Sequence, residues 1–315
     1  MNEPESYFYH SFPRRYREDP AAEIDSGLKI LSSIISSGFL LSPEITEWKE
    51  RRDDGSLGER WENIQKTCSF TDLSPNKLSE HSKRFGRFSV EFDSQSFREL
   101  GGIPVFYLPR ASEEDRGLES LAASLVARTG EIQTLLNRLA EVETDLPANV
   151  NKNRNVAYNK NGQQVCTRCS YEGAQDLIDF LTDGTQPVYI LRNALRVLAG
   201  FMYPTENLKY TGMLAYYRQR EWRLIANMSH NGQDIDRDLT DPEKDKLVAI
   251  DNEFFGKEIK YRTGTYRRVD QCRIFSMLDG KPVIQYAKRV IVPSEAVTRA
   301  VKLLEGYAEV PIVAL

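Results

Sequence analysis

The alternating stretch Tyr217–Ile225 constrains the fold of this chain more than any other part of the sequence. Polar and apolar residues alternate there with the two-residue period of a β-strand. The two faces of this strand carry Gln219, Glu221 and Arg223, and Arg220, Trp222 and Leu224, respectively. A carboxylate flanked by cations stays ionised and fixed, which suits hydrogen bonding to a sugar hydroxyl or stabilising a developing positive charge. The alternative is a surface strand with exposed charge pairs.

Composition bounds the class of protein. The chain has 315 residues and 40% hydrophobic content, enough for a large core in one or two domains. No apolar run approaches the roughly 18 residues that span a bilayer, and the N-terminus is polar and acidic, so we expect a cytoplasmic protein. The four cysteines are too few for a disulfide framework and are expected to be reduced.

The charge distribution argues against a surface dedicated to nucleic acid, because the formal net charge is -4. Arginines nevertheless cluster near the start of the chain, on the central strand and between residues 262 and 273. Each cluster is explained either by a solvated face or by a shared cleft for a phosphate-bearing ligand.

The pattern of the first 110 residues predicts mainly short strands around one helix. Residues 6–12 form an aromatic strand that contains His10, and residues 24–38 form an amphipathic helix closed by Gly38. Residues 40–66 lose hydrophobic periodicity and are expected to be a loop with short helical pieces, anchored by Trp48 and Trp61. Further strands are predicted at residues 67–73, 85–92 and 103–108, with a helix at 78–83.

The middle of the chain reads as an insert. Residues 112–144 carry leucines at helical spacing, interrupted at Thr129-Gly130, and predict one long helix or a helical hairpin. The Asn-rich residues 149–164 are expected to be a mobile loop. Cys166 and Cys169 have the spacing of half a zinc knuckle, but a second close pair is missing, so no metal is expected. Helices are predicted at residues 171–181 and 187–201.

The last third alternates again between helices and strands. We predict a helix at 242–255, strands at 266–277 and 283–292, a tight turn at Asp279-Gly280, a helix at 294–307 and an edge strand at 310–315. Segregated runs of strands and helices favour an α+β fold with a mainly antiparallel, strongly curved sheet. The predicted parts are 1–110 and 206–315 for the two halves of the core, and 111–205 for the helical insert.

The order of the candidate residues resembles the ADP-ribosyltransferase fold, in which a split sheet holds NAD in a cleft. The resemblance implies that His10 holds the adenosine-side ribose, that Ser69 or Thr71 lines the nicotinamide pocket and that Arg223 assists NAD binding. It also implies that Glu221 binds the nicotinamide ribose and favours the oxocarbenium-like transition state, with Gln219 orienting the acceptor. The chain has His10 where some ADP-ribosyltransferases have an arginine on the first strand, and it lacks a full Ser-Thr-Ser triplet. The resemblance therefore does not indicate a particular clade of ADP-ribosyltransferases.

A second resemblance covers more of the chain. Six blocks resemble the AbiGi-type abortive-infection proteins of bacteria, a family linked to phage resistance and labelled an antitoxin component. They are residues 7–12, 28–41, 68–73, 80–88, 103–107 and 220–223. The resemblance covers roughly the first 110 residues and the Glu221 strand. The helical insert and the Asn-rich loop have no counterpart in it.

Two classes of function follow from these resemblances. The first is an antiphage ADP-ribosyltransferase toxin that uses NAD as substrate to modify a nucleic-acid or protein acceptor, with Glu221, Gln219 and His10 as catalytic residues. The alternative is a non-catalytic antitoxin or sensor that binds a protein partner through the helical insert. A third hypothesis is a nuclease whose active site is formed by Asp234, Asp236 and Asp238 with His230, although an acidic loop of this kind is more often solvated.

Overall fold

The computed structural model describes residues 7–14, 19–51, 56–109, 122–132, 154–160, 163–169, 194, 197–205, 220–230, 233–261, 264–307 and 309–315. The chain divides into two compact units. Residues 1–120 and 200–315 form the larger unit, and residues 121–199 form the smaller one. None of the described helices is long and apolar enough to cross a membrane.

Strands account for most of the regular structure of the larger unit. They are β1 (Tyr7–Phe12), β2 (Phe39–Arg51), β3 (Leu57–Leu73), β4 (Phe88–Asp93), β5 (Ile103–Pro104), β6 (Phe106–Pro109), and, after β7 (Arg154–Lys160) and β8 (Gln163–Cys169) of the smaller unit, β9 (Met202–Thr205), β10 (Glu221–Ile225), β11 (Ser229–His230), β12 (Gln233–Asp234), β13 (Arg237–Asp238), β14 (Glu258–Tyr261), β15 (Gly264–Arg267), β16 (Arg273–Phe275), β17 (Met277–Leu278), β18 (Lys281–Pro282), β19 (Arg289–Val292) and β20 (Ile312–Ala314).

The α-helices of the larger unit are α1 (Pro20–Ser37), α2 (Leu78–Phe85), α3 (Ser94–Glu99), α4 (Asp241–Ile250), α5 (Asn252–Phe255) and α6 (Val297–Leu303). Within the described chain, ten strands join in one sheet with the order β13-β16-β2-β3-β1-β4-β19-β20, and β10 and β5 extend it beside β3. The pairs are antiparallel except for β19 with β20. The α+β class with a mainly antiparallel sheet is therefore confirmed, whereas the ADP-ribosyltransferase-like fold is not confirmed.

The sheet diverges at β3. Thr71 pairs with both β1 and β10, and Thr67 pairs with both β2 and β10. Because a strand has only two edges, β1 and β2 must lie along the same edge of β3, opposite β10. Residues 68–70 of β3 pair with neither β1 nor β2 in the described register. A gap between two strands thus opens at the middle of the sheet.

The prediction of a loop at residues 40–66 is wrong. These residues form the long β2–β3 hairpin, in which Trp48 pairs with Trp61 and the two rings stack at 6.3 Å. The predicted anchoring role of both tryptophans is confirmed, since Trp48 is fully buried and Trp61 is half-buried. Charged residues alternate with apolar ones irregularly along this hairpin, which hides the two-residue period in the sequence.

The core lies between the sheet and helix α1. Phe8, Phe88, Val90, Phe92 and Leu224 of the sheet pack against Leu28, Leu31 and Ile34 of the helix. Gly27 allows the close approach, because a Cβ atom there would lie 2.3 Å from the ring of Phe88. Asp19 caps the start of α1, and Gly38 ends it with φ 105°. The predicted helix and its terminal glycine are confirmed.

Other local predictions have mixed outcomes. The turn at Asp279-Gly280 and the edge strand near residue 312 are confirmed. Thr240 and Glu243 form a capping box at the start of α4, as the sequence there predicts. The predicted strand at 85–92 begins later, because Phe85 ends α2 and Gly86 turns the chain with φ 107°.

In the smaller unit, residues 122–132 are helical and run through Thr129-Gly130 without the predicted interruption. The expected mobile loop at 149–164 is wrong for residues 154–160 and 163–164, because β7 and β8 form an antiparallel hairpin there. Cys166 and Cys169 both lie on β8. The predicted helix at 171–181 lies outside the described residues. The three predicted parts of the chain stay a prediction.

Candidate functional site

Strand β10 holds the central carboxylate beside β3, on the edge of β3 opposite the gap between β1 and β2. Glu221 lies opposite Thr71, and Arg223 lies opposite Ser69. Trp222 and Leu224 point to the other face, where they join the core. The predicted alternation is confirmed for residues 221–225. The predicted strand is too long at its start, because Arg220 has φ 44° and precedes β10, and Gln219 lies outside the described residues.

The carboxylate of Glu221 accepts three hydrogen bonds from side chains. Its Oε1 atom accepts from Ser69 Oγ at 2.8 Å and from Arg223 Nε at 2.9 Å. Its Oε2 atom accepts from the hydroxyl of Tyr107 on β6. Both oxygens of this carboxylate are therefore engaged by the protein itself.

Arg223 links this carboxylate to a second one. The guanidinium group is almost fully buried, at 3% exposure, and lies 3.3 Å from Glu44 on β2. It also contacts Gln65 Oε1 at 3.4 Å and lies over the ring of Tyr203, whose hydroxyl donates to Glu44 at 2.8 Å. One buried cation thus holds two carboxylates, and an aromatic ring covers it.

The electrostatics of the network favour its charged form. Burial would raise the pKa of Glu221, but the charge of Arg223 and the hydrogen bonds from Tyr107 and Ser69 outweigh burial and lower it. Burial opposes the charge of Arg223, and the neighbouring Glu221 and Glu44 nevertheless raise its pKa. Burial and Glu221 together raise the pKa of Tyr107, so its hydroxyl remains a donor.

The side chain of His10 on β1 connects to β3 at the gap between β1 and β2. Its Nδ1 atom donates to the main-chain oxygen of Ser69 at 3.0 Å and lies 3.5 Å from Cys68 Sγ. Burial lowers the pKa of His10 to about 4, so the ring is neutral at pH 7. Glu221 binds the side chain of Ser69 and His10 binds its main chain, so both predicted residues meet at Ser69.

A cavity of about 820 Å³ lies in the larger unit beside this network. Its wall includes five of the predicted site residues, namely His10, Ser69, Thr71, Glu221 and Arg223. The structure therefore brings together these residues from β1, β3 and β10. Their predicted roles toward NAD stay predictions, since position alone does not assign a ligand.

Four members of the network were missed in the sequence. They are Glu44, Gln65, Tyr107 and Tyr203. Glu44 and Gln65 lie in the hairpin for which the sequence predicts a loop, and Tyr203 lies just after the smaller unit, within the predicted insert. Tyr107 ends a predicted strand, which is a weak signal on its own.

Two further acidic residues, Asp236 and Asp238, and two cysteines, Cys68 and Cys272, lie outside the Glu221 network. Asp236 is buried, accepts from Asn227 N at 2.7 Å and pairs with Arg273, which also binds Asp238 at 2.9 Å. These contacts tie Asp236 and Asp238 to β16, whereas the side chains of His230 and Asp234, the other members of the predicted nuclease site, lie outside the described part of the chain. Cys68 and Cys272 are buried thiols. Across the residues that the structure describes, no group of three or more potential ligands could hold a metal ion.

Comparison with known proteins identifies the family. The profile described as "Putative abortive phage resistance protein AbiGi, antitoxin" matches residues 61–272, more than half of the chain. The chain belongs to the AbiGi family. The predicted resemblance to AbiGi is confirmed, although its first two blocks, residues 7–12 and 28–41, precede the matched range. No curated protein and no solved structure matches the chain.

This family corrects the favoured functional prediction. AbiGi proteins are described as antitoxins, so the prediction of an ADP-ribosyltransferase toxin is wrong. The finding agrees with the alternative, a component of a bacterial phage-defence system that is not the toxin. NAD as a ligand is untested and stays a prediction.

Proposed function

We propose that this protein is a non-catalytic antitoxin that acts in abortive infection by binding a protein partner, its toxin. The observation that carries the proposal is the antitoxin description of the family over residues 61–272. We propose that the complex forms in the cytoplasm, where an intracellular toxin would have to be neutralised.

The geometry around Glu221 supports a structural role for that residue. A carboxylate that stabilises a cationic transition state must present its charge to the substrate. Both oxygens of Glu221 instead accept hydrogen bonds from the protein, and its charge is matched by Arg223 at 2.9 Å. The network therefore fixes β10 to β3 and β6 and thereby holds the fold together.

The experiment measures protection and complex formation. Each protein encoded beside this chain is expressed alone, to find one that stops bacterial growth, and then together with the full-length chain. We expect growth to recover and the two purified proteins to bind with a defined stoichiometry in calorimetry. A Glu221→Gln variant that remains folded should protect as well as the unaltered chain. Growth arrest by this chain alone, or loss of protection by folded Glu221→Gln, would contradict the proposal.

We also propose that the smaller unit, residues 121–199, carries the partner-binding surface. Its described helix, residues 122–132, buries Ala122, Ala123 and Val126 and exposes the ion pair of Arg128 with Glu131 at 2.6 Å. Because the apolar face of this helix is buried, its charged face is the one that is exposed to a partner.

Charge reversal tests this surface. We expect Arg128→Glu combined with Glu131→Arg to weaken partner binding by about tenfold or more, because the order of charges on the exposed face is inverted. The matched control is Arg267→Glu with Asp270→Arg, an exposed pair at the same i,i+3 spacing in the larger unit. Equal affinity of both double variants would place the partner elsewhere.

A further inference from the structure

A second cluster of polar groups lines the cavity, apart from the Glu221 network. It consists of His10 on β1, Arg14 just after β1, and His81 and Phe85 on α2, and we call it the Arg14 cluster. The ring of Phe85 stacks on His81 at 4.3 Å and also lies 5.1 Å from the guanidinium carbon of Arg14. The aromatic ring thus holds a cation and an imidazole at the cavity wall.

The Arg14 cluster carries positive charge, and the described residues supply no counter-ion to it. Among the described residues, Arg14 forms no ion pair, whereas Arg223 in the same cavity wall is paired with both Glu221 and Glu44. Burial and, to a lesser extent, the charge of Arg14 lower the pKa of His10 and of His81 to about 4. No carboxylate contributes to either shift. This part of the cavity therefore has a positive potential.

The donors of the cluster are complementary to a phosphate. Arg14 offers the planar fork of donors that suits phosphate oxygens. The nitrogens of His81 have no hydrogen-bond partner in the described chain. His10 uses its Nδ1 proton on Ser69, so its remaining ring nitrogen accepts from a phosphate hydroxyl when neutral and donates when protonated.

A different part of the cavity wall is apolar. It is formed by side chains of α4, α5 and β14, namely Leu247, Ile250, Phe254, Phe255 and Ile259. A cavity of about 820 Å³ falls within the size range of sites for small molecules, which combine an apolar wall with a few polar groups.

We propose that this cavity binds a small organic phosphate, with the phosphate on the Arg14 cluster and the organic part against the apolar wall. This site takes a ligand without turnover. The proposal rests on the cavity and not on the antitoxin function, so either can fail without the other.

Calorimetry of the full-length chain tests the proposal with phenyl phosphate as the probe. We expect saturable binding in the millimolar range or tighter, and weaker binding of inorganic phosphate, because it lacks an apolar part. Arg14→Gln should weaken phenyl phosphate binding by about tenfold or more, and Arg14→Lys should restore part of the loss. The matched control is Arg98→Gln, which removes an exposed arginine of α3 that does not line the cavity. No saturable binding, or equal loss in both glutamine variants, would overturn the proposal.

Histidine titration by NMR gives an independent readout. The chain has three histidines, so the imidazole signals can be assigned by substitution. A bound anion favours the charged imidazole, and we expect phenyl phosphate to raise the pKa of His10 and of His81 from about 4 while leaving His230 unchanged. Unchanged titration of both cavity histidines at saturating probe would overturn the site even if heat were released.

Discussion

Two glutamate–arginine pairs in the same sheet are built differently, although each has one fully or almost fully buried member. In the Glu221 pair on β10, the carboxylate accepts hydrogen bonds from Ser69, Tyr107 and Arg223. In the Glu91 pair, formed by β4 and β19, Arg289 lies 2.9 Å from a carboxylate that is fully buried. Among the described residues, neither oxygen of Glu91 has a well-aligned hydrogen-bond partner, and the neighbouring hydroxyl of Tyr9 interacts with Glu91 and Arg289 only through poorly aligned contacts.

The difference between the two pairs shows that the attraction between opposite charges and hydrogen bonding contribute separately to stability. A buried ion pair contributes to stability only when its geometry and additional hydrogen bonds compensate for the lost hydration. The Glu221 pair meets that condition, whereas the Glu91 pair has the electrostatic attraction but only poorly aligned hydrogen bonds. We therefore expect the Glu221 pair to stabilise the fold and the Glu91 pair to be close to neutral.

The largest expected effect is that of removing the shared cation. Arg223→Met leaves Glu221 and Glu44 without their counter-ion, and we expect the free energy of unfolding to fall by about 3–5 kcal/mol. Urea denaturation at pH 7 measures the change. Arg220→Met is the matched control, because Arg220 is 67% exposed and lies 3.7 Å from Asp72, and its loss should cost at most about 1 kcal/mol. Equal effects would remove the distinction between buried and exposed pairs.

Replacing both members of each pair tests the comparison directly. Glu91→Leu with Arg289→Met should leave stability unchanged or raise it by about 1–4 kcal/mol, because only poorly aligned hydrogen bonds are lost and two charged groups no longer require desolvation. Glu221→Leu with Arg223→Met should still destabilise, since Ser69 and Tyr107 would lose Glu221 as an acceptor and Glu44 would lose its counter-ion. Thermal and urea unfolding of both double variants give the values. The comparison is wrong if the two double variants change stability by the same amount.

The two tyrosines offer a smaller and more selective change. Tyr107→Phe removes the donor to Glu221 Oε2 and is expected to cost about 1–3 kcal/mol, because a buried acceptor is left unsatisfied. Tyr9→Phe removes a buried hydroxyl whose contacts with Glu91 and Arg289 are poorly aligned, and it should be close to neutral. A larger loss for Tyr9→Phe than for Tyr107→Phe, in the same urea assay, would reverse the assignment of partners.

The smallest expected effect comes from protonating Glu221. Its pKa is lowered from 4.5 in the folded protein, so its contribution is complete above the unfolded value and is lost as the pH falls through the folded value. The stability difference between the unaltered chain and Glu221→Gln should therefore be largest near neutral pH and shrink below about pH 4.5. A difference that is constant with pH would show that the charge of Glu221 does not contribute.

Local patterns predict the parts of this fold that local chemistry determines. The Asp279-Gly280 turn, the cap at Thr240 and the alternation across Glu221 each depend on neighbouring residues, and the sequence reveals each of them. The sequence pattern does not predict the β2–β3 hairpin, because polar residues such as Thr46 and Gln65 occupy buried positions in it. Its register also depends on cross-strand pairs such as Trp48 with Trp61.

The site is predictable only in part for the same reason. His10, Ser69 and Glu221 lie on strands with readable patterns, and pairing of those strands brings them together. Tyr107 reaches Glu221 across 114 residues, and Tyr203 reaches Glu44 across 159. No periodicity links residues at such separations, so only the folded chain identifies these partners.

The missing side chain at Gly27 also sets the width of the cavity. Ser26, Ile30 and Ser33 of α1 form part of the cavity wall, while Gly27 on the same helix lies directly against Phe88 of the sheet. Any larger residue at position 27 would push this helix outward, and the neighbouring wall would move with it. The absence of a side chain at Gly27 therefore keeps α1 close to the sheet, and the position of α1 determines how deeply a molecule can enter the cavity.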